Sequence, residues 1–189
     1  MNYSIYSIRM ARPADLHALA AIELEAANLL RGHAPASVLN EATDDMTFRS
    51  AQEDGRLWVG VTEDVPIGFA LVEMLPDGLP HLDELDVHPA HGRRGVGTAL
   101  VRAVCEWATE QGHPEITLTT FRTVPWNMRF YSRMGFMEIP PGELRPELNA
   151  VVLEETARGL DPRVRLVMRY RCAPSTPAPR SAGGSTPGR

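Results

Sequence analysis

The residue types best suited to hold an anion lie together in Val87-His88-Pro89-Ala90-His91-Gly92-Arg93-Arg94-Gly95-Val96-Gly97-Thr98. A β-like run ends at Val87, a short loop turns, and a helical pattern starts at the glycines. A helix N-terminus leaves several backbone N–H groups unpaired and carries a partial positive charge. Gly95 and Gly97 have no Cβ, so an anion can come close to those N–H groups. Arg93 and Arg94 add charge beside them. The chemistry on offer is the cradling of a pyrophosphate. Taken alone, the stretch is equally compatible with a plain strand-to-helix turn carrying solvated arginines. Two other phosphate motifs are excluded by spacing: no GxxxxGK[ST] and no GxGxxG occurs.

Metal chemistry is not expected. His88 and His91 stand three apart, but in a Pro-containing loop, and neither HExxH nor a CxxC pair is present. Cys105 and Cys172 are too few for a disulfide framework and read as free thiols of a reducing cytoplasm. The net charge of −5 and the absence of a basic stripe argue against a nucleic-acid partner. They favour a cationic small molecule or peptide amine. No apolar run approaches the ~20 residues that span a bilayer, and Met1 to Met10 lacks the pattern of a secretory leader.

The elements that must position the loop can be read from periodicity. The chain has 189 residues, 43% of them hydrophobic, enough for one domain with a core. Tyr6, Ile8 and Met10 alternate as a first strand. Pro13 and Asp15 open a helix with Leu16, Leu19, Ala20 and Leu24 on its core face. Glu23 and Glu25 can line a cleft, but a solvated helix face is the simpler expectation. A second helix is predicted over 44–53. Leu57–Thr62 and Ile67–Leu75 are strands joined by a turn at Asp64-Val65-Pro66. His81–His88 is a fourth strand. A long helix comes after the glycines, with Leu100, Val104, Trp107 and Ala108 as its stripe and Gly112 past its end. Ile116, Leu118 and Thr120 mark a fifth strand, Pro125–Met134 a helix, Phe136–Ile139 a sixth strand and Val164–Tyr170 the last. The expected division is one α/β domain over 1–170 and a disordered tail over 171–189. From residue 173 onward the tail holds only Ala, Pro, Ser, Thr, Arg and Gly.

The glycine loop resembles the acetyl-CoA signature of the GNAT superfamily of N-acetyltransferases, a strand followed by [QR]xxGx[GA]. Gly95 and Gly97 take the two small-residue positions. Gly92 stands at the Gln/Arg position, with Arg93 displaced by one residue. Phe130-Tyr131-Ser132-Arg133-Met134-Gly135-Phe136 is similar to the family's FYxxxGF box. Two motifs in order, about 35 residues apart, are far more specific than either alone. The resemblance spans residues 5 to about 140. It implies a central mixed, mostly antiparallel sheet of about seven strands flanked by helices, with strands four and five splayed into a V.

The resemblance also implies a division of labour. The pantetheine arm of acetyl-CoA, the cosubstrate, enters the V and adds as a strand to the edge at Leu85, Asp86 and Val87. The residues from Gly92 through Arg93, Arg94, Gly95, Val96 and Gly97 to Thr98 meet the pyrophosphate. The N–H near Leu85 faces the thioester carbonyl and stabilises the developing oxyanion. An alkyl ammonium must lose a proton before it attacks, since its pKa is about 10. His81 to Asp86 offers three carboxylates. Alternation puts Glu84 and Asp86 on one face and Asp83 on the other unless a bulge intervenes. The family's acidic positions fall at Asp83 and Glu84, so Glu84 is the first candidate base and Asp83 the second. Solvated edge-strand carboxylates are the plain alternative. Tyr131 matches the family's general acid and would protonate the departing thiolate. Asn127, one helical turn earlier, would bond the pantetheine amides. Trp126 is expected to pack rather than to catalyse.

A CoA-binding module that does no transfer would keep Gly95 and Gly97 but has no chemical need for Tyr131 and Glu84. The acceptor amine is not legible, and homodimers are frequent in the family. Beyond the family pattern, roughly 20 residues from Pro140 to Arg163 separate the last two strands. Glu147–Arg158 has helical composition, with Leu148, Val151, Val152 and Glu155 at helical spacing. This helix is expected either to wall the acceptor site, with Glu154 or Glu155 adding charge, or to serve as a packing helix or dimer contact.

Overall fold

The computed structural model describes residues 6–172. Most of the expected tail, 173–189, lies outside the described residues. Its predicted start at 171 is too early, because Arg171 ends the last strand and the Cys172 N–H donates to the Pro114 carbonyl at 3.0 Å.

Seven strands form one sheet in the order β1-β2-β3-β4-β5-β7-β6. They are β1 (Ser7–Met10), β2 (Leu57–Thr62), β3 (Val65–Met74), β4 (Pro80–Val87), β5 (Glu115–Phe121), β6 (Met137–Ile139) and β7 (Arg165–Arg171). Only the β4–β5 pairing is parallel. The helices are α1 (Leu19–Ala27), α2 (Ala36–Leu39), α3 (Asp45–Glu53), α4 (Val96–Glu110), α5 (Asn127–Arg133) and α6 (Pro146–Ala157).

Period-two alternation divides the strands between two cores. Trp58, Ala70, Val72, Ile116, Leu118 and Met168 meet the α4 residues Leu100, Val101 and Val104 on one face. Leu57, Val59, Phe69 and Leu71 meet Leu19 and Ile22 of α1 and Phe48 of α3 on the other. Helix α6 covers that second face further along, where Leu148 is buried with Leu75, Leu79, Ile139 and Val167.

Several local expectations shift. Pro13–Ala18 is a 3-10 segment, not the first turn of an α-helix. The tighter winding of that segment, about three residues per turn, rotates the phase of α1 behind it. The buried stripe of α1 is therefore Leu19, Ile22, Glu23 and Ala26, while Leu24 is 37% exposed and Glu25 faces solvent. The β2–β3 turn is Glu63-Asp64, both at positive φ (49° and 64°), so Val65 and Pro66 belong to β3. Asp44 is the N-cap of α3, accepting from the N–H groups of Met46 (2.8 Å) and Thr47 (3.0 Å). The helix expected over 125–134 is shorter, and Trp126 before it is 51% exposed, edge-on to His33.

Candidate active site

Two features of β4 build the site. First, β4 and β5 pair only at His81–Thr117 and Leu82–Leu118, and beyond Leu82 the strands part. The parting leaves the β4 edge from Asp83 to Val87 without a strand partner on that side. His81 sits at the fork, fully buried, its Nδ1 at 2.8 Å from Thr117 Oγ1. Burial lowers its pKa to about 4, so the ring is neutral at physiological pH.

Second, β4 carries a bulge. Leu71 pairs with Glu84 while Val72 pairs with Leu82, which leaves Asp83 as the extra residue. A one-residue slip exchanges the faces of every residue after it. Leu82, Leu85 and Val87 consequently all contact the α4-side core. Glu84 and Asp86 line a cleft of about 320 Å³ together with Glu23 of α1, Tyr131 and Asn127 of α5, Val151, Glu154 and Glu155 of α6, and Arg158 just past the end of α6. The bulge anticipated as an exception thus occurs, and it is what allows three apolar residues and a carboxylate pair to share one short strand.

The cleft is acidic, and its charges crowd each other. Burial, then Asp86 and Asp83, push Glu84 well above the usual carboxylate range. Burial and Glu23 push Asp86 up to about 8. Desolvation and Glu73 raise Asp83 to about 6. Tyr131, half-buried, is raised by burial and by Asp86 and Glu84. Asp83 is not among the groups that act on Tyr131. It lines the same cleft and also opens toward Ala42, Thr43 and Thr47 in an adjoining cavity that shares Glu23, Glu73 and Glu84.

Thr119 and Arg165 are contributors to the cleft that escaped the sequence, and Glu23 and Glu155 play parts in it that the sequence left open. Glu23, expected on a solvated face, is 9% exposed and accepts from the Thr43 N–H (3.0 Å) and hydroxyl (3.2 Å), which ties the 40–44 loop to α1. The i, i+3, i+4, i+7 spacing of Leu19, Ile22, Glu23 and Ala26 was the available signal, masked by the 3-10 start. Helix α6 is pinned by Glu155, which accepts from Arg165 Nε at 2.9 Å and from the Thr119 hydroxyl. Arg165 in turn donates to Thr119 Oγ1 at 2.8 Å and lies over the Phe121 ring at 4.4 Å. Thr119, Glu155 and Arg165 come from three elements, so no local pattern could have joined them. The charge of Glu155 is matched by Arg165, whereas Glu154 is exposed at the cleft.

At the other end of the parted strands, α4 begins. Its ladder starts with the Ala99 N–H donating to the Gly95 carbonyl at 3.0 Å, so the N–H groups of Val96, Gly97 and Thr98 precede it. Gly95 is the N-cap at φ 89°, with no side-chain cap, and a Cβ there would stand 3.0 Å from the Tyr6 hydroxyl. Arg93 also has positive φ (57°), and Gly92, Arg93 and Arg94 are exposed around the helix start. Val96 differs from its neighbours: its side chain is buried in the α4-side core, so only its backbone faces the loop. Glycine-lined N–H groups without a side-chain cap, beside two exposed arginines, suit a pyrophosphate, and the parted β4 edge suits an amide-bearing arm. Among the described residues no cluster of three or more potential metal ligands occurs, and no helix is long and apolar enough to cross a membrane.

Comparison with known proteins agrees with this geometry. The model of the acetyltransferase (GNAT) family matches residues 20–136. Human N-acetyltransferase 8 is 35% identical over 100 residues, 49% of this chain and 43% of the relative. S-(2-succino)cysteine N-acetyltransferase of Bacillus subtilis is 31% identical over 88 residues, 46% of this chain and 52% of the relative. The chain thus spans about half the length of the curated relatives it matches. Among solved structures, PaiA N-acetyltransferase of Thermoplasma acidophilum in complex with coenzyme A superposes with a TM-score of 0.67 at 15% identity, covering 88% of this chain and 98% of that one. The ribosomal-protein-S18-alanine N-acetyltransferase of Escherichia coli gives 0.62 at 17% identity, covering 92% and 97%. At such identities the structural likeness concerns the fold.

Proposed function

Because the chain belongs to the acetyltransferase (GNAT) family, we propose that it moves an acetyl group from acetyl-CoA to the amine of a cationic acceptor. The observation that carries this reading is the parting of β4 from β5, with an anion-binding helix start at one end and an acidic, tyrosine-bearing cleft at the other.

In this reading the N–H groups at the start of α4, flanked by Arg93 and Arg94, hold the pyrophosphate. The β4 edge from Leu85 to Val87 takes the pantetheine arm as an added strand, and Asn127 bonds its amides. The N–H near Leu85 faces the thioester carbonyl, where one such donor contributes about 3 kcal/mol to the barrier reduction. A carboxylate of β4 accepts the ammonium proton, and the Tyr131 hydroxyl protonates the sulfur that leaves. Its raised pKa means that this hydroxyl carries its proton at neutral pH and can donate it to the sulfur as the C–S bond breaks. Helix α6 forms one wall of the acceptor side. Relatives named for a protein alanine and for a modified cysteine show how widely acceptors differ within the fold. Here Glu23, Glu73, Asp83, Glu84, Asp86 and Glu154 face the opening, which favours a positively charged amine.

The test is thiol release from acetyl-CoA across a panel of polyamines, amino acids, aminoglycosides and peptide N-termini, with acetylated products identified by mass spectrometry. Turnover concentrated on cationic amines is expected. CoA binding without transfer to any amine would make the protein a binding module and overturn the proposal.

A further inference from the structure

Acetyl transfer to an amine needs an anion cradle, an edge for the pantetheine arm and groups that move protons. It has no need of apolar walls, yet part of the cleft has them. Leu30, Ala34, Val38 and Leu39 line it from the segment over 28–39, Phe121 from the end of β5 and Leu160 from the loop after α6. Phe121 and Leu160 are buried together with Val124. Leu30, Ala34 and Val38 pack on them but stay half-buried, which leaves apolar surface toward the opening.

The apolar walls are set apart from the carboxylates. The adjoining cavity shares Glu23, Glu73, Asp83, Glu84 and Glu154 with the cleft, but none of the six apolar residues. It therefore opens off the acidic part, and the apolar part lies away from it. The charges nearest the apolar part in sequence, Glu41 after Leu39 and Arg158 before Leu160, pair with each other at 3.1 Å. Trp126, exposed at the start of α5, meets His33 of the same 28–39 segment edge-on. Alternation puts Phe121 with Thr117 and Thr119 on the sheet face away from α4, since Ile116 and Leu118 meet α4. The proposed cosubstrate arrives from the start of α4, so the apolar walls stand on the acceptor side.

We propose that the acceptor is a primary amine that carries a bulky apolar group, such as an aryl ring, and no carboxylate beside the nitrogen. Its ammonium enters the acidic part, and its apolar group rests against Leu30, Val38 and Leu39. The inference rests on the acetyl-transfer reading and narrows the acceptor from any cationic amine to an amphipathic one. An apolar group gains from leaving water here, whereas a second ammonium on these walls would lose its hydration. The arginines that line the cleft are engaged, Arg158 with Glu41 and Arg165 with Glu155. A carboxylate on the acceptor would thus meet the acidic groups without an unpaired cation to receive it.

The experiment measures kcat/KM with acetyl-CoA for phenethylamine, ethylamine, spermidine, phenylalanine and phenylalaninamide, in the full chain and in Leu39→Asn. Each buried methylene is worth about fourfold, so phenethylamine should exceed ethylamine by about tenfold or more. Phenylalanine should fall about tenfold or more below phenylalaninamide, which lacks the repelled charge. Asparagine has nearly the volume of leucine but presents an amide. In Leu39→Asn the preference for phenethylamine over ethylamine should therefore shrink severalfold. That ratio is insensitive to a partly unfolded sample, which slows both amines alike. A peptide beginning with phenylalanine separates the two sources of this chemistry. Faster turnover than phenylalaninamide points to a protein N-terminus and slower turnover to a free amine, and both keep the inference. Equal kcat/KM for ethylamine and phenethylamine, or a preference for spermidine over both, overturns it while leaving acetyl transfer intact. If no amine is acetylated, the transfer reading fails, and calorimetric titration of phenethylamine into the CoA-loaded protein decides the inference. Binding that Leu39→Asn weakens supports it, and the absence of binding refutes it.

Discussion

The anion cradle and the acid cleft lie at opposite ends of the same parted strands, yet they are built on different principles. The cradle is backbone from one continuous stretch, Gly92 to Thr98, in which positive φ at Arg93 and Gly95 aims the chain. The cleft is side chain from α1, β4, α5, α6 and β7, residues separated by as many as 142 positions between Glu23 and Arg165. A phosphate presents the same charge and shape in every CoA, so a short local device serves it. An acceptor amine differs from one enzyme to the next, and a site assembled from distant elements can be retuned one element at a time.

If the two ends are separable, variants should affect one and spare the other. The largest effect is expected at Tyr131, where the proposed reaction brings both reactants together. Tyr131→Phe should lower kcat by about 10²-fold or more while acetyl-CoA affinity stays the same. Unchanged turnover would make Tyr131 a packing residue, and sulfur would have to leave with other help.

Gly95→Val should cut CoA affinity by at least about tenfold, because a branched side chain fills the approach to the N–H groups. It should also lower Tm, since φ near 89° costs a residue with a Cβ about 1–2 kcal/mol. Calorimetric titration and a melting curve read the two consequences separately. Affinity within threefold of wild type would show that the pyrophosphate does not rest there.

The smallest catalytic effect is expected at the acceptor wall. Arg165→Met leaves Glu155 unpaired between α6 and the sheet, at a stability cost of about 3 kcal/mol. With α6 loosened, the acceptor KM should rise severalfold and CoA affinity should not change. Steady-state kinetics with each substrate varied in turn distinguish this from a general loss of structure, which would weaken both. A change of mass in solution would instead mark α6 as an interface between copies.

The contrast also explains why some features are legible in the chain and others are not. Gly95, Gly97 and the Phe130–Phe136 box are legible because the roles proposed for them depend on neighbours within a few residues, as are the seven strands and the helices over 96–110 and 146–157. The carboxylates of β4 are visible as candidates, but their order is not. Choosing between Asp83, Glu84 and Asp86 depends on the bulge opposite Leu71 and Val72, and a bulge is decided by pairing with β3 rather than by β4 itself.

By itself, then, the sequence determined the period of each strand, the start of α4 and the residue types available for proton transfer, all of which stem from local sterics and backbone hydrogen bonding. Only the tertiary structure decided that Glu23 turns inward after a 3-10 segment, that Glu155 finds Thr119 and Arg165, and that Asp86 keeps one buried oxygen without a partner. Burial and long-range pairing set those outcomes, because the charge state and orientation of a carboxyl group depend on which distant groups exclude water from it.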